Sequence, residues 1–197
     1  MFNMSKVLDK SLGVISIFLQ ISLVVVCFSF ITPFVYLYYG FTGKMAQNGI
    51  VNSSASDFLI SPDHIHVTHS QIANFPNIPY SILMAIGITL TVIAIIILFW
   101  AIVQIISNIG KKQYFVADNL RRLKNIVIAQ IVTVCADPFL AAGNQLSASK
   151  LGRINDGLFS ATWETLGNDV INLVFFAVIY FLFKLAFNLK EESDLTV

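Results

Sequence analysis

Four long apolar runs carry most of this chain, and polar segments of very unequal length separate them. The runs predict helices over about residues 12–38, 80–107, 118–146 and 165–187. Each is long enough to cross a hydrocarbon layer, which takes roughly 17–25 residues of helix. The pattern predicts an all-α membrane protein. Its four transmembrane helices form an antiparallel bundle in a single integral membrane domain over residues 1–197.

The first helix ends in Tyr36, Tyr38 and Tyr39, an aromatic belt at headgroup level, with Pro33 positioned to kink its last turn. The external loop, residues 40–79, is rich in Ser, Asn, Gly and Pro. Within it, Ser56 to Ile60 and Ile65 to His69 read as two short strands. Ser61-Pro62-Asp63-His64 reads as the turn of a small extracytoplasmic β-hairpin. The second helix is nearly pure Ile, Leu, Val and Ala, with Gly87 and Thr89 as small packing positions. A connector over 108–125 leads into the third helix.

Composition sharpens this picture. Hydrophobic residues make up 56% of the chain and charged residues only 12%, against about a quarter charged in an ordinary soluble domain. A net charge of +1 points to no direct nucleic-acid binding. The distribution of charge says more. Lys6, Lys10, Lys111, Lys112, Arg121, Arg122, Lys124, Lys184 and Lys190 fall on one side of the predicted membrane, and Lys44, Lys150 and Arg153 on the other. Nine against three predicts a multi-pass membrane protein with both termini cytoplasmic and the loop 40–79 outside. No cleavable signal peptide is evident, because the first run is too long for a signal core. Cys27 and Cys135 sit inside apolar runs and read as buried thiols.

Candidate chemistry is sparse. The chain has no Gly-rich phosphate loop, no Cys-x-x-Cys, no metalloprotease helix pair and no serine elbow, which predicts a non-enzyme without cofactors. All three histidines, His64, His66 and His69, lie in the external loop. They are weak candidates for a metal site, because a strand would put His69 on the face opposite to the other two.

Asp137 sits about twelve residues inside the third helix, beside Pro138. A carboxylate there costs on the order of 2.5–3.5 kcal/mol on insertion scales, so it should face protein or water. Thr133, Asn144, Asn168 and Asn172 are its expected partners, with Asn172 sharing an intramembrane polar site. It reads either as a hydrogen-bonded structural acid or as a proton or ion site.

The connector has its own local mechanics. Gly110 ends the second helix. Phe115 and Leu120 have the spacing of a hydrophobic staple around a helix start at Val116. Asp118 suits the positive end of the new helix. Arg121, Arg122 and Lys124 can reach anionic headgroups, and Phe115 and Asn119 join them as candidate contacts to lipid or a partner. The acidic residues Glu191, Glu192 and Asp194 could pair with these cations, and the final Leu195, Thr196 and Val197 could add a strand to a partner.

Two stretches carry a resemblance. Gly110-Lys111-Lys112-Gln113-Tyr114-Phe115 followed by Asn119-Leu120-Arg121-Arg122-Leu123, together with the tail Leu189 to Val197, resembles a bacterial family of small four-helix integral membrane proteins. That family is a domain of unknown function that includes YoaS-like proteins. The resemblance implies four helices with both termini inside, and a frequent gene neighbour that is a small Cro/C1-type helix-turn-helix regulator. It supplies no catalytic residues. Val116 departs from the pattern, which usually has a Ser or Thr cap there.

Taken together, the sequence predicts a non-enzymatic sensory or regulatory inner-membrane protein. It would couple its outer loop to a cytoplasmic partner, with the lipid bilayer and a second copy of itself as further partners. A small transporter or channel component using Asp137 is the alternative from a different class. A membrane immunity or defence protein is a third.

Overall fold

The computed structural model describes residues 4–52, 58–61 and 67–195. Among them are six α-helices and one two-stranded sheet. Helices α1 (Met4–Phe28) and α2 (Ile31–Phe41) share the first apolar run. Helix α3 (His69–Ala73) is a single short turn. The long helices are α4 (Asn77–Gly110), α5 (Ala117–Leu151) and α6 (Trp163–Leu195). Four spans among the described residues are long and apolar enough to cross a membrane: Ser11–Phe41, Asn77–Gly110, Ala117–Leu151 and Trp163–Ser193. The chain is therefore a multi-pass membrane protein, and its helices run several residues beyond the sequence estimates at most ends.

The first run is not one helix. It breaks at Ser29 and Phe30, four residues before Pro33. Proline has no N–H, so it cannot close a helical bond to the Ser29 carbonyl, and its ring crowds that oxygen. The Ser29 carbonyl instead accepts from the Thr32 N–H at 3.1 Å. The proline thus acts one turn upstream of the last-turn kink expected from the sequence.

Burial separates the four spans. Helices α4 and α5 supply most of the buried apolar side chains, including Met84, Ile88, Val92, Ala129 and Leu140. Helix α6 keeps an uncovered stripe of Ile171, Phe175, Val178, Phe181, Leu182 and Leu185, the spacing of one helical face. In a bilayer such a face meets acyl chains at no hydrophobic cost. Cys27 and Cys135, expected to be buried, are instead exposed on the protein surface and unpaired.

The residues cluster into two compact units. One comprises 1–28, 92–132 and 171–197, and the other 29–91 and 133–170. In the second, Gly40 lies so close to α4 that an added Cβ would sit 2.5 Å from the Ser81 Cβ. Gly87 lies equally close to Leu140 of α5. These contacts agree with the packing role expected of Gly87.

The sheet differs from the expected hairpin. Strand β1 (Phe58–Ile60) pairs antiparallel with β2 (Arg153–Asn155), which follows α5, in the register Phe58 to Asn155, Leu59 to Ile154 and Ile60 to Arg153. The Ser61 N–H extends the ladder to the Gly152 carbonyl at 3.0 Å. The rest of the expected turn and the first two residues of the second strand, residues 62–66, lie outside the described residues. The end of that strand is helical, because Thr68 caps α3. Its hydroxyl accepts from the Gln71 N–H while the Gln71 side chain accepts from the Thr68 N–H, a capping box that starts a helix at His69.

Candidate functional site

The turn between α4 and α5 is built by hydrogen bonds from buried amides. Helix α4 ends at Gly110, as expected. The chain then reverses through Lys112, at φ +61°. The Gln113 N–H reaches back to the Asn108 carbonyl at 2.9 Å, and the Lys112 N–H to the Ile109 carbonyl at 2.9 Å. This is the double bond pattern of a Schellman cap, with lysine where glycine is usual.

Asn108 and Asn119 hold the turn from inside. The Asn108 Nδ2 donates to Asn119 Oδ1 at 2.8 Å and to Asp118 Oδ2 at 3.0 Å. The Asn119 Nδ2 donates to the carbonyls of Gln113 and Tyr114, both at 2.8 Å. Asp118 also pairs with Arg122, one turn on, at 3.2 Å. Both asparagines are buried. The sequence offered Asn119 as a contact for lipid or a partner, but its amide faces inward and ties down the loop.

The other connector residues divide in the same way. Arg122 is bound to Asp118, so its charge is answered within its own helix. Arg121 and Lys124 are exposed, with Lys111 and Lys112 beside them in the turn. The Phe115 ring stacks on Phe183 of α6, with centroids 5.4 Å apart. The described ring contact is thus to another helix rather than a local staple. Val116 precedes α5 and offers no side-chain oxygen. Its carbonyl accepts from the N–H groups of Asn119 and Leu120.

At the chain end, α6 continues through Leu195. An extended strand starting at Leu195 would have to unwind that last turn. Val197 lies outside the described residues, as do His64 and His66. His69 is exposed at the start of α3. Among the described residues, no three His, Cys, Asp or Glu side chains gather as a metal site would require.

The second place of interest is Asp137. It is buried at 3% exposure within the unit that holds it, so it faces protein, as its cost in lipid demands. Asp169, near the start of α6, lies within electrostatic reach of it. The Asp137 Oδ2 is buried with no hydrogen-bond partner. Asn144, an expected partner, is occupied elsewhere. Its Nδ2 donates to the carbonyls of Phe159 and Ala161, both at 2.9 Å, and its Oδ1 accepts from Asn155 at 3.1 Å. That cluster fixes the loop from β2 to α6. Asn172 is exposed on α6 and has contacts of its own.

Sequence reasoning missed two of these residues. Asn108 closes a short polar set with Gln104 and Ser107 at the end of an apolar helix, and nothing in that set marks its amide as the one that faces inward. Asp169 lies near the polar start of α6, close to Trp163, where an acid carries no signal of its own. Only the pairing of α5 with α6 brings it to Asp137.

A family model described as a protein of unknown function (DUF2975) matches residues 64–197. No curated protein and no solved structure matches the chain.

Proposed function

This chain belongs to the DUF2975 family, and from that premise we propose that it is a non-enzymatic regulatory protein of the bacterial inner membrane. Both termini and the α4–α5 turn lie in the cytoplasm. The loops on the other face, residues 42–76 and 152–162, meet the stimulus. The turn then presents its cations to anionic headgroups and to a cytoplasmic partner.

One observation carries this reading. The α4–α5 turn is pinned from inside by Asn108 and Asn119, while Lys111, Lys112, Arg121 and Lys124 remain exposed on it. A loop that only joined two helices would not need buried amides at both ends. A preordered surface loses less entropy on binding, and clustered cations beside a membrane attract acidic lipid and acidic protein faces. The partner we assign is the helix-turn-helix regulator implied by the family resemblance, bound through its protein surface rather than its DNA.

The test is co-purification from cells that express both proteins. Neutralising Lys111 and Lys112, which leaves the basic residues seven to three in favour of the same face, should sharply reduce recovery of the regulator while the membrane protein still inserts with its turn inside. Equal recovery from wild type and the neutralised variant would overturn the proposal.

A further inference from the structure

Helix α2 meets α4 closely at one point and leaves a slot beyond it. The contact is at Gly40, where an added Cβ would sit 2.5 Å from the Ser81 Cβ. The Tyr36 and Tyr80 rings stack beside it, with centroids 6.2 Å apart. Towards the break at Ser29 and Phe30, the two helices enclose an apolar groove of about 540 Å³. Short side chains make its floor: Pro33 and Ala85, both buried, together with Thr89. Phe30, Phe34 and Leu37 wall it on one side, and Ile82, Ile86 and Leu90 on the other. Each set has the spacing of one helical face. Phe34, Ile82 and Ile86 stay exposed at the rim. All of these residues belong to one compact unit.

The lining selects no polar or charged ligand. The Thr89 hydroxyl spends its hydrogen on the Ala85 carbonyl at 2.7 Å, and every other lining side chain is hydrocarbon. Both helices belong to membrane-spanning segments, Ser11–Phe41 and Asn77–Gly110, so hydrocarbon lies outside the groove. From Ile82 to Leu90 the groove follows about 12 Å of helix axis. One leaflet's share of the hydrocarbon layer is about 15 Å. Leu90 comes before the midpoint of α4, so the groove stays within one leaflet. Over that length, 540 Å³ is a slot of about 45 Å² in section, against roughly 80–110 Å² for a helix 10–12 Å across. A single hydrocarbon chain fits where a helix from a second copy does not.

We infer that this groove seats one acyl chain of a phospholipid from the leaflet nearest the start of α4. This does not rest on the regulatory reading above; it would hold for a sensor or for a transporter. The chain lies along α4 between the two rows of side chains, which puts the headgroup at the level of Tyr38 and Tyr39. Lipid tails are as apolar as the groove, so the gain is not hydrophobic. It comes from contact, because an empty slot forfeits dispersion attraction along its floor and both walls. With no charge in the lining, the site reads the chain and is indifferent to the head.

Native mass spectrometry of the full chain released from detergent tests this, with palmitoyl-oleoyl phosphatidylethanolamine or phosphatidylglycerol added. The wild type should retain one phospholipid with either headgroup. Thr89→Phe raises a ring from the floor of the groove and should lower retention of both lipids at least about tenfold. Val178→Phe adds similar bulk on the exposed face of α6 and should leave retention unchanged.

If Thr89→Phe does not insert, Thr89→Leu fills the same point with less bulk and should lower retention in the same direction. Equal retention by wild type and the filled variant would overturn the inference. So would retention of phosphatidylglycerol alone that Thr89→Phe leaves intact, which would place the lipid on the basic α4–α5 turn. An adduct with the mass of a free fatty acid would also overturn it, as would a lipid-free dimer that Thr89→Phe dissociates.

Discussion

The side-chain amide of Asn108, in the last turn of α4, donates to the side-chain oxygen of Asn119, in the first turn of α5, at 2.8 Å. The Asn119 amide passes the restraint on to two carbonyls of the intervening loop. Asn119→Ala removes that relay and leaves buried groups unpaired, which costs roughly 1–3 kcal/mol. Asn108→Ala should cost less, because Asp118 keeps its contact with Arg122. Thermal unfolding in detergent should rank wild type above Asn108→Ala and that above Asn119→Ala. An Asn119→Ala protein as stable as wild type would mean that the turn is held by its backbone alone.

Lys112 adopts a left-handed conformation at φ +61°. The equivalent end of α5 uses Gly152, at φ +59°. A side chain in this region costs roughly 1–2 kcal/mol, while glycine gives back up to about 1 kcal/mol through the freedom of the unfolded chain. Lys112→Gly should therefore unfold at a higher temperature than Lys112→Ala. The alanine variant is the proper reference, because both changes remove the charge. If the two unfold together, the lysine backbone is not strained.

The close approaches of Gly40 and Gly87 are graded against that of Gly143. An added Cβ at Gly40 meets the Ser81 Cβ at 2.5 Å, and at Gly87 it meets Leu140 Cδ2 at 2.6 Å and the Leu140 backbone N at 3.1 Å. At Gly143 the nearest atom is Sδ of Met84, at 2.6 Å, on a side chain that can rearrange. Alanine at 40 or 87 should cost about 1–3 kcal/mol through overpacking, and alanine at 143 clearly less. Equal losses at all three positions in a detergent unfolding series would refute this grading.

The four spans were legible because apolar length is a strong signal in a chain with so little charge. Their ends were less so. Helices α4 to α6 run past their apolar cores into polar residues whose bonds come from neighbours, as at Asn108 and Asn144. The strand at Phe58 was readable from its own residues, but its partner was not. Nothing local in Arg153-Ile154-Asn155 marks it as a strand, and the pairing spans most of two long helices. Asp137 stood out as an acid inside an apolar run. Asp169 did not, because its nearness to Asp137 depends on where α6 lies beside α5. The basic connector was visible as charge. That Asn119 points inward while Arg121 and Lys124 point outward follows from the Schellman reversal at Lys112, which a sequence without glycine there does not announce.

Orientation is the prediction on which the regulatory reading depends. Helix α4 joins the loop that contains α3 to the α4–α5 turn, so one crossing puts Ser70 and Gln113 on opposite faces of the membrane. The basic residues divide nine to three in favour of the face that carries Gln113, and that face should be cytoplasmic. Single cysteines at Ser70 and Gln113, both in exposed or partly exposed polar stretches, can be placed in a chain whose Cys27 and Cys135 are replaced by serine. A membrane-impermeant maleimide should label Ser70→Cys in cells with only the outer barrier opened. It should label Gln113→Cys only after the inner membrane is breached. Neutralising Lys111, Lys112, Arg121 and Lys124 lowers the count from nine to five against three, which should yield a mixed population with partial labelling at both positions. Labelling of Gln113→Cys in spheroplasts of the otherwise unaltered chain would invert the topology and place the basic turn outside the cell.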